Sequence, residues 1–203
     1  MYLKAENISF GYKKDNWILR NVNISLGSGE VLGLIGDSGS GKSTLCKILS
    51  GYETNYNGTV SLDGKKIPSG IYNPVQLIFQ HPEKAVNPKW KMKDILNEGH
   101  IVSQELLESF GIKENWLNRW PNELSGGELQ RFALARALGP GTKFLIADEI
   151  TTMVDAITQA QIWESILNIV EELNIGVLVV SHDKNLINKL CHDVLHLSDI
   201  NTG

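Results

Sequence analysis

Neither sign of charge dominates this chain: 19 basic against 23 acidic side chains in 203 residues leave a formal net charge of −4 with histidine neutral. A mildly acidic balance lacks the basic face that sequence-independent nucleic-acid binding needs, so no nucleic-acid partner is expected. Long hydrophobic runs are also missing. A bilayer-spanning helix takes ~18–20 consecutive apolar residues, whereas runs such as Gly176-Val-Leu-Val-Val180 have the length of buried strands. The opening Met1-Tyr-Leu-Lys-Ala-Glu6 has no apolar signal-peptide core. The two cysteines, Cys46 and Cys191, follow no metal spacing and build no disulfide framework, which points to a reducing compartment. No repeat, low-complexity tract or flexible linker stands out. What remains is 42 % hydrophobic, 21 % charged and 7 % aromatic, the composition of a globular domain and not of a disordered chain. The length suits one domain with a smaller subdomain attached.

Hydrophobic patterning divides the chain. Leu3 to Phe10 and Trp17 to Leu26 read as strands around a turn at 13–16, and Glu30–Ile35 as a short buried strand. A helix is expected from Lys42 to Ser50, stopping at Gly51, and a hairpin at Thr59–Leu62 with the turn Asp63-Gly64. Val75–Phe79 is another apolar run. From His81 to about Glu123 the texture changes to prolines at 82, 88 and 121 and helical-period pieces such as Gln104–Phe110, which predicts a small helical insertion. Beyond it come a helix at 128–138, a strand at Phe144–Ala147, a helix at 158–173, a strand at Gly176–Val180, a short helix at 184–189 and a strand at Asp193–Leu197. Strands alternating with helices predict a parallel α/β core.

Between the third strand and the first helix stands Gly36-Asp37-Ser38-Gly39-Ser40-Gly41-Lys42-Ser43, a G-x-x-x-x-G-K-[ST] phosphate loop. Glycines let successive N–H groups curl around an anion, and the helix that follows adds its positive end. In this pattern Lys42 reaches the β- and γ-phosphates and Ser43 supplies a hydroxyl to Mg2+. A Gly/Ser-rich turn opening a helix would look similar, and kinases and GTPases share the motif. A second signal is Phe144-Leu-Ile-Ala-Asp-Glu149, an apolar strand ending in two carboxylates where open α/β sheets place their ligand chemistry. Asp148 suits Mg2+, and Glu149 suits the general base for an attacking water. The plain alternative is a solvated acidic pair.

A third signal is Asn122-Glu-Leu-Ser-Gly-Gly-Glu-Leu-Gln-Arg131. Ser125 and Glu128 form an S-x-x-E capping box ahead of a helix, which is a structural explanation in itself. A capped helix start fronted by Gly126 and Gly127 is equally an anion site. Gln80 follows one predicted strand and His182 another; singly, each is an ordinary polar residue.

Together these motifs resemble the ATP-binding cassette (ABC) ATPases over essentially the whole chain. The resemblance implies a P-loop NTPase of ABC type: a mixed α/β sheet core with an N-terminal antiparallel β subdomain (1–80 and 128–203) and a helical subdomain with the signature (about 81–127). It implies two cassettes facing head to tail, each ATP lying between one phosphate loop and the other's signature. Gly36 to Thr44 would bind ATP with Tyr12 stacking on adenine. Lys42, Gln80, Glu149 and His182 would be catalytic, and Ser43, Gln80 and Asp148 would hold Mg2+. Ser125, Gly126, Gly127 and Glu128 would face the partner's nucleotide, and Asp155 would belong to the loop linking the two sites.

Phe79-Gln-His-Pro82 with Val86-Asn-Pro88, and Asp155-Ala-Ile-Thr-Gln-Ala-Gln-Ile162, look like the peptide/nickel import group. That implies a peripheral subunit on the cytoplasmic face of the membrane. Its partners would be a second ATPase subunit, identical or not, membrane permease subunits and an extracytoplasmic binding protein. Ile150-Thr-Thr-Met-Val154 departs from the family's usual Pro-Thr-Ser-Ala-Leu ahead of Asp155. Exporter or lipoprotein-release ATPases share the main motifs. A non-transport cassette acting on DNA or ribosomes is disfavoured, because no coiled coil separates Lys42 from Ser125 and only one cassette is present. A regulatory module without transport is opposed by Glu149 and His182.

Overall fold

The computed structural model describes residues 1–13, 16–67 and 70–202. Nine strands and seven α-helices follow one another along them. The strands are β1 (Tyr2–Phe10), β2 (Leu19–Gly27), β3 (Val31–Ile35), β4 (Asn57–Leu62), β5 (Lys65–Lys66), β6 (Val75–Ile78), β7 (Phe144–Asp148), β8 (Gly176–Val180) and β9 (Asp193–His196). The helices are α1 (Lys42–Leu49), α2 (Met92–Leu96), α3 (Gln104–Ser109), α4 (Gly126–Ala137), α5 (Ala156–Leu173), α6 (Lys184–Leu190) and α7 (Leu197–Ile200).

Parallel and antiparallel strands are divided between two sheets. The antiparallel one runs β2-β1-β4-β5, and the other runs β6-β7-β8-β3-β9 with parallel pairing throughout. Alternating burial in β1 and β2 is what a sheet with one wet face requires, whereas β3, β7 and β8 are buried at every position. One apolar cluster lies between the two sheets and takes in Leu45, Ile48 and Leu49 of α1 with Leu32 and Leu34 of β3. On the opposite face a second cluster joins Leu145, Ala147, Val177 and Val179 to Phe132 of α4 and to Ile162 and Ile166 of α5. That cluster continues into the 81–127 segment through Met92, Ile95, Phe110 and Trp116. No helix among the described residues is long and apolar enough to cross a membrane. Cys46 and Cys191 are both free, and burial pushes the Cys191 thiol up to about 11.

Most element positions follow the sequence pattern, with physical reasons for the departures. Asp63 and Gly64 take the positive φ that a two-residue hairpin demands. Lys13 and Asn16 bridge one another, and the centre of their turn lies outside the described residues. α4 starts two residues earlier than expected because Ser125 caps it, and α5 starts at Ala156 because Asp155 caps it. The helical insertion is broken into α2, α3 and three 3-10 turns, one of them opened by Pro82 and one by Pro121. Leu197, expected as a strand end, opens α7.

Candidate active site

β3 carries the phosphate loop to the carboxyl edge of the parallel sheet. Gly41 is the residue before α1, at φ 108, and an added Cβ would come within 2.8 Å of Ile18 Cγ2. No L side chain fits there. Gly41 caps α1 with no side-chain hydrogen bond, so the helix's first amides remain for an anion. Lys42 is buried, and its Nζ donates to the Gly36 and Asp37 carbonyls at 2.8 and 2.9 Å, holding the ammonium over the loop. Tyr12 meets Phe10 edge to face at 4.8 Å and places its hydroxyl 3.3 Å from Thr44 Oγ1, keeping an exposed ring beside the start of α1.

β7 ends beside this loop. Asp148 is buried, and its Oδ1 has no hydrogen-bond partner. Burial is the main cause that raises its pKa. A hydrogen bond from the Ser43 hydroxyl opposes the rise, the Glu149 charge adds to it, and Lys42 and Lys47 oppose it. An orphaned, desolvated carboxylate oxygen beside a serine hydroxyl fits a hard divalent cation. Among the described residues no three His, Cys, Asp or Glu side chains converge on a metal site.

Glu149 follows, with φ 52, in the left-handed region. Its N–H donates to the Val180 carbonyl at 3.0 Å, which ties the turn to the end of β8. Gln80 Nε2 donates to Glu149 Oε2 at 3.2 Å, and His182 Nδ1 lies 3.4 Å from Oε1. Three separate stretches of chain thus meet at one carboxylate.

Ser125 and Glu128 form the capping box in both directions: Glu128 N–H donates to Ser125 Oγ at 3.3 Å, and Ser125 N–H to Glu128 Oε2 at 2.8 Å. These residues, Gly126 and Gly127 share a cavity of about 330 Å3 with Met153, Val154 and Asp155. A Cβ on Gly127 would crowd Thr158 and Val154 at 3.1 and 3.3 Å. Asp155 Oδ1 accepts from the Ile157 and Thr158 amides and Oδ2 from the Thr158 hydroxyl at 2.7 Å; the hydroxyl bond leads in lowering its pKa. No residue of the phosphate loop, nor Gln80, Asp148 or Glu149, lines this cavity.

Two threonines with no assigned role also shape the site. Thr151 is buried and its hydroxyl accepts from Gln159 Nε2 at 2.8 Å and from the Trp163 indole at 3.2 Å. Thr152 Oγ1 donates to the Glu149 carbonyl at 3.0 Å and accepts from Gln80 Nε2 at 3.3 Å. No sequence signal marks either, since both contacts depend on the loop's conformation.

The family model described as ABC transporter matches residues 19–152. The chain belongs to the ABC transporter family. Among curated relatives, the nickel import system ATP-binding protein NikE of Staphylococcus aureus (strain bovine RF122 / ET3-1) is 32 % identical over 214 residues, covering 97 % of this chain and 87 % of that protein. The nickel import ATP-binding protein NikE of Escherichia coli (strain K12) is 32 % identical over 197 residues, 88 % of this chain and 74 % of that one. Of solved structures, the dimeric bacterial ABC transporter cassette MJ0796 superposes with a TM-score of 0.83 at 26 % identity, over 96 % of this chain and 93 % of that one. A post-hydrolysis dimer of the same cassette, bound to ADP and Pi, gives 0.82 at 27 % identity over the same shares. The chain is thus the ATP-binding subunit of an ABC transporter and an ATPase.

Proposed function

We propose that this ABC subunit powers import of nickel, peptides or related metal complexes, on the cytoplasmic face of a membrane and with an extracytoplasmic binding protein delivering the cargo. The names of the 32 % identical relatives support the cargo class, as do Phe79-Gln-His-Pro82 and Asp155–Ile162.

The observation that carries the catalytic reading is the Glu149 carboxylate, held at one oxygen by Gln80 and near His182 at the other. Glu149 takes a proton from water as the water oxygen bonds to the γ-phosphorus, and the β–γ bridging oxygen leaves with ADP. Gln80 and His182 fix the direction of the acceptor lone pair. Lys42 turns from the Gly36 and Asp37 carbonyls to the β- and γ-phosphates, the amides of Gly39 to Thr44 surround them, and Tyr12 stacks on the adenine. Ser43 and Asp148, with the Gln80 amide oxygen, would hold Mg2+, which supplies charge neutralisation between the phosphates.

The Ser125 cavity contains none of those groups, so the signature serves a nucleotide on the partner subunit, with Gly126, Gly127 and the Glu128-closed cap presenting the helix start. Asp155 on its rim links the two sites. Residues 81–127 act as the subdomain that passes closure to the permease, because their apolar core is continuous with α4 and the sheet.

Tagging the chain in its host and solubilising the membranes gently tests the assembly. Recovery of a polytopic membrane protein supports it; the chain alone, or on ribosomes, contradicts it. Unchanged uptake of both nickel and peptides after deletion of the chain would remove the cargo assignment.

A further inference from the structure

Resting on the reading of Glu149 as the base, we propose that Thr152 is a positioning residue for hydrolysis, acting through Gln80. A hydroxyl has one proton and two lone pairs, and Thr152 uses both kinds of capacity on the machinery. Its proton goes to the Glu149 carbonyl at 3.0 Å, and its oxygen accepts from Gln80 Nε2 at 3.3 Å. The same Nε2 reaches Glu149 Oε2 at 3.2 Å. A closed ring results: Gln80 amide, Glu149 carboxylate, Glu149 peptide, Thr152 hydroxyl.

That ring does two things. It braces Glu149 on its carbonyl side, where the backbone is left-handed at φ 52 and its amide side is already held by Val180. It also gives the Gln80 amide a second acceptor, 3.3 Å away, beside the carboxylate oxygen at 3.2 Å, so that its orientation is set from two sides. Thr152 is exposed, unlike its buried neighbour Thr151, so its hydroxyl is not spent on core packing.

Thr152→Val keeps the shape and removes the hydroxyl; Thr152→Ser keeps the hydroxyl. We expect Thr152→Val to lower kcat about three- to tenfold with the KM for ATP within about twofold, the pattern of an interaction that matters in the transition state. Thr152→Ser should restore kcat to within about twofold of wild type, and in a Gln80→Ala background Thr152→Val should cause a smaller further loss than in the wild-type background, since only the bond to the Glu149 carbonyl is left to remove. Thr152→Ala, with the thermal midpoint and binding of a fluorescent ATP analogue measured alongside, guards against a folding defect in the valine variant. Wild-type kcat in the valine and alanine variants, a serine variant as slow as the valine one, or full additivity with Gln80→Ala would each overturn the proposal. Glu149→Gln is run in parallel. Turnover persisting there removes the reading of the base itself, whereas its loss beside a normal Thr152→Val removes only the role of Thr152.

Discussion

Replacing Asp148 with asparagine separates what the site does for chemistry from what it costs the fold. The carboxylate is buried and one of its oxygens has no hydrogen-bond partner. A buried unsatisfied polar group costs about 1–3 kcal/mol, more if charged. Asparagine keeps the shape but discards the charge, so the nucleotide-free variant should be more stable by about 1–2 kcal/mol. For a chain of this size that is a rise of about 2–8 °C in Tm, at about 2–4 °C per kcal/mol. The pH dependence has a definite sign. Burial raises the Asp148 pKa above its ordinary 3.8, so the folded chain binds the proton more tightly than the unfolded one. Stability is then lost as pH rises from about 3.8 through the folded value, and only wild type feels this. The gap between the two proteins should therefore be small in acid and full at neutral pH. Adding ATP with Mg2+ should reverse the order: wild type gains RT ln(1 + [L]/Kd), about 2.7 kcal/mol at a hundredfold excess over Kd, and the variant loses the metal-dependent part of that gain. The assay is thermal unfolding followed by circular dichroism, with and without ATP, and with Mg2+ or a chelator. A nucleotide-free variant that melts below wild type, or one with an unchanged Mg2+ increment, refutes the reasoning.

Other substitutions test neighbouring features. Gly41→Ala forces a Cβ to 2.8 Å from Ile18 at φ 108; we expect a loss of about 2–4 kcal/mol in urea denaturation and weaker ATP binding. Trp163→Phe removes the indole donor to Thr151 and should cost about 1–2 kcal/mol in the same assay, since it leaves a buried hydroxyl with fewer partners. His100 meets Tyr72 edge to face at 5.8 Å with both ring nitrogens buried and unpartnered, and burial lowers its pKa below 6.5. The neutral ring is favoured by the fold, so stability is full above about 6.5 and declines as pH falls through the folded value. A His100→Phe chain should show a flatter stability profile between pH 7.5 and 5, read as the urea midpoint.

The phosphate loop, its strand and its helix were legible because glycine spacing, a short apolar run and a helical period coincide within 20 residues, where local rules act. The capped start of α4 was legible for the same reason, through Ser125 and Glu128. Other features were not. The order β6-β7-β8-β3-β9 depends on pairings between distant segments, such as Val75 with Phe144 and Leu32 with Asp193, and no local pattern specifies them. Gln80 and His182 lie 69 and 33 positions from Glu149; the family resemblance assigns all three to one nucleotide, but nothing in the sequence marks their meeting at one carboxylate. Four-residue α7 is too short to show a period. The bonds of Thr151 and Thr152 follow from the path of one loop, in which Ile150 stands where the family usually has proline. That loop is held by Thr151 to Trp163 and Gln159, side chains on α5.

ATP turnover and ATP binding, measured side by side for wild type and Glu149→Gln, address the central claim most directly. The amide side chain preserves size and one acceptor oxygen, turns the other into a donor, and cannot take a proton from water. Loss of a positioned general base typically costs about 10²–10⁴-fold. We predict a fall in kcat of that order with ATP affinity within about threefold of wild type, since the phosphate loop is untouched. Unchanged turnover in Glu149→Gln would contradict the account at its centre.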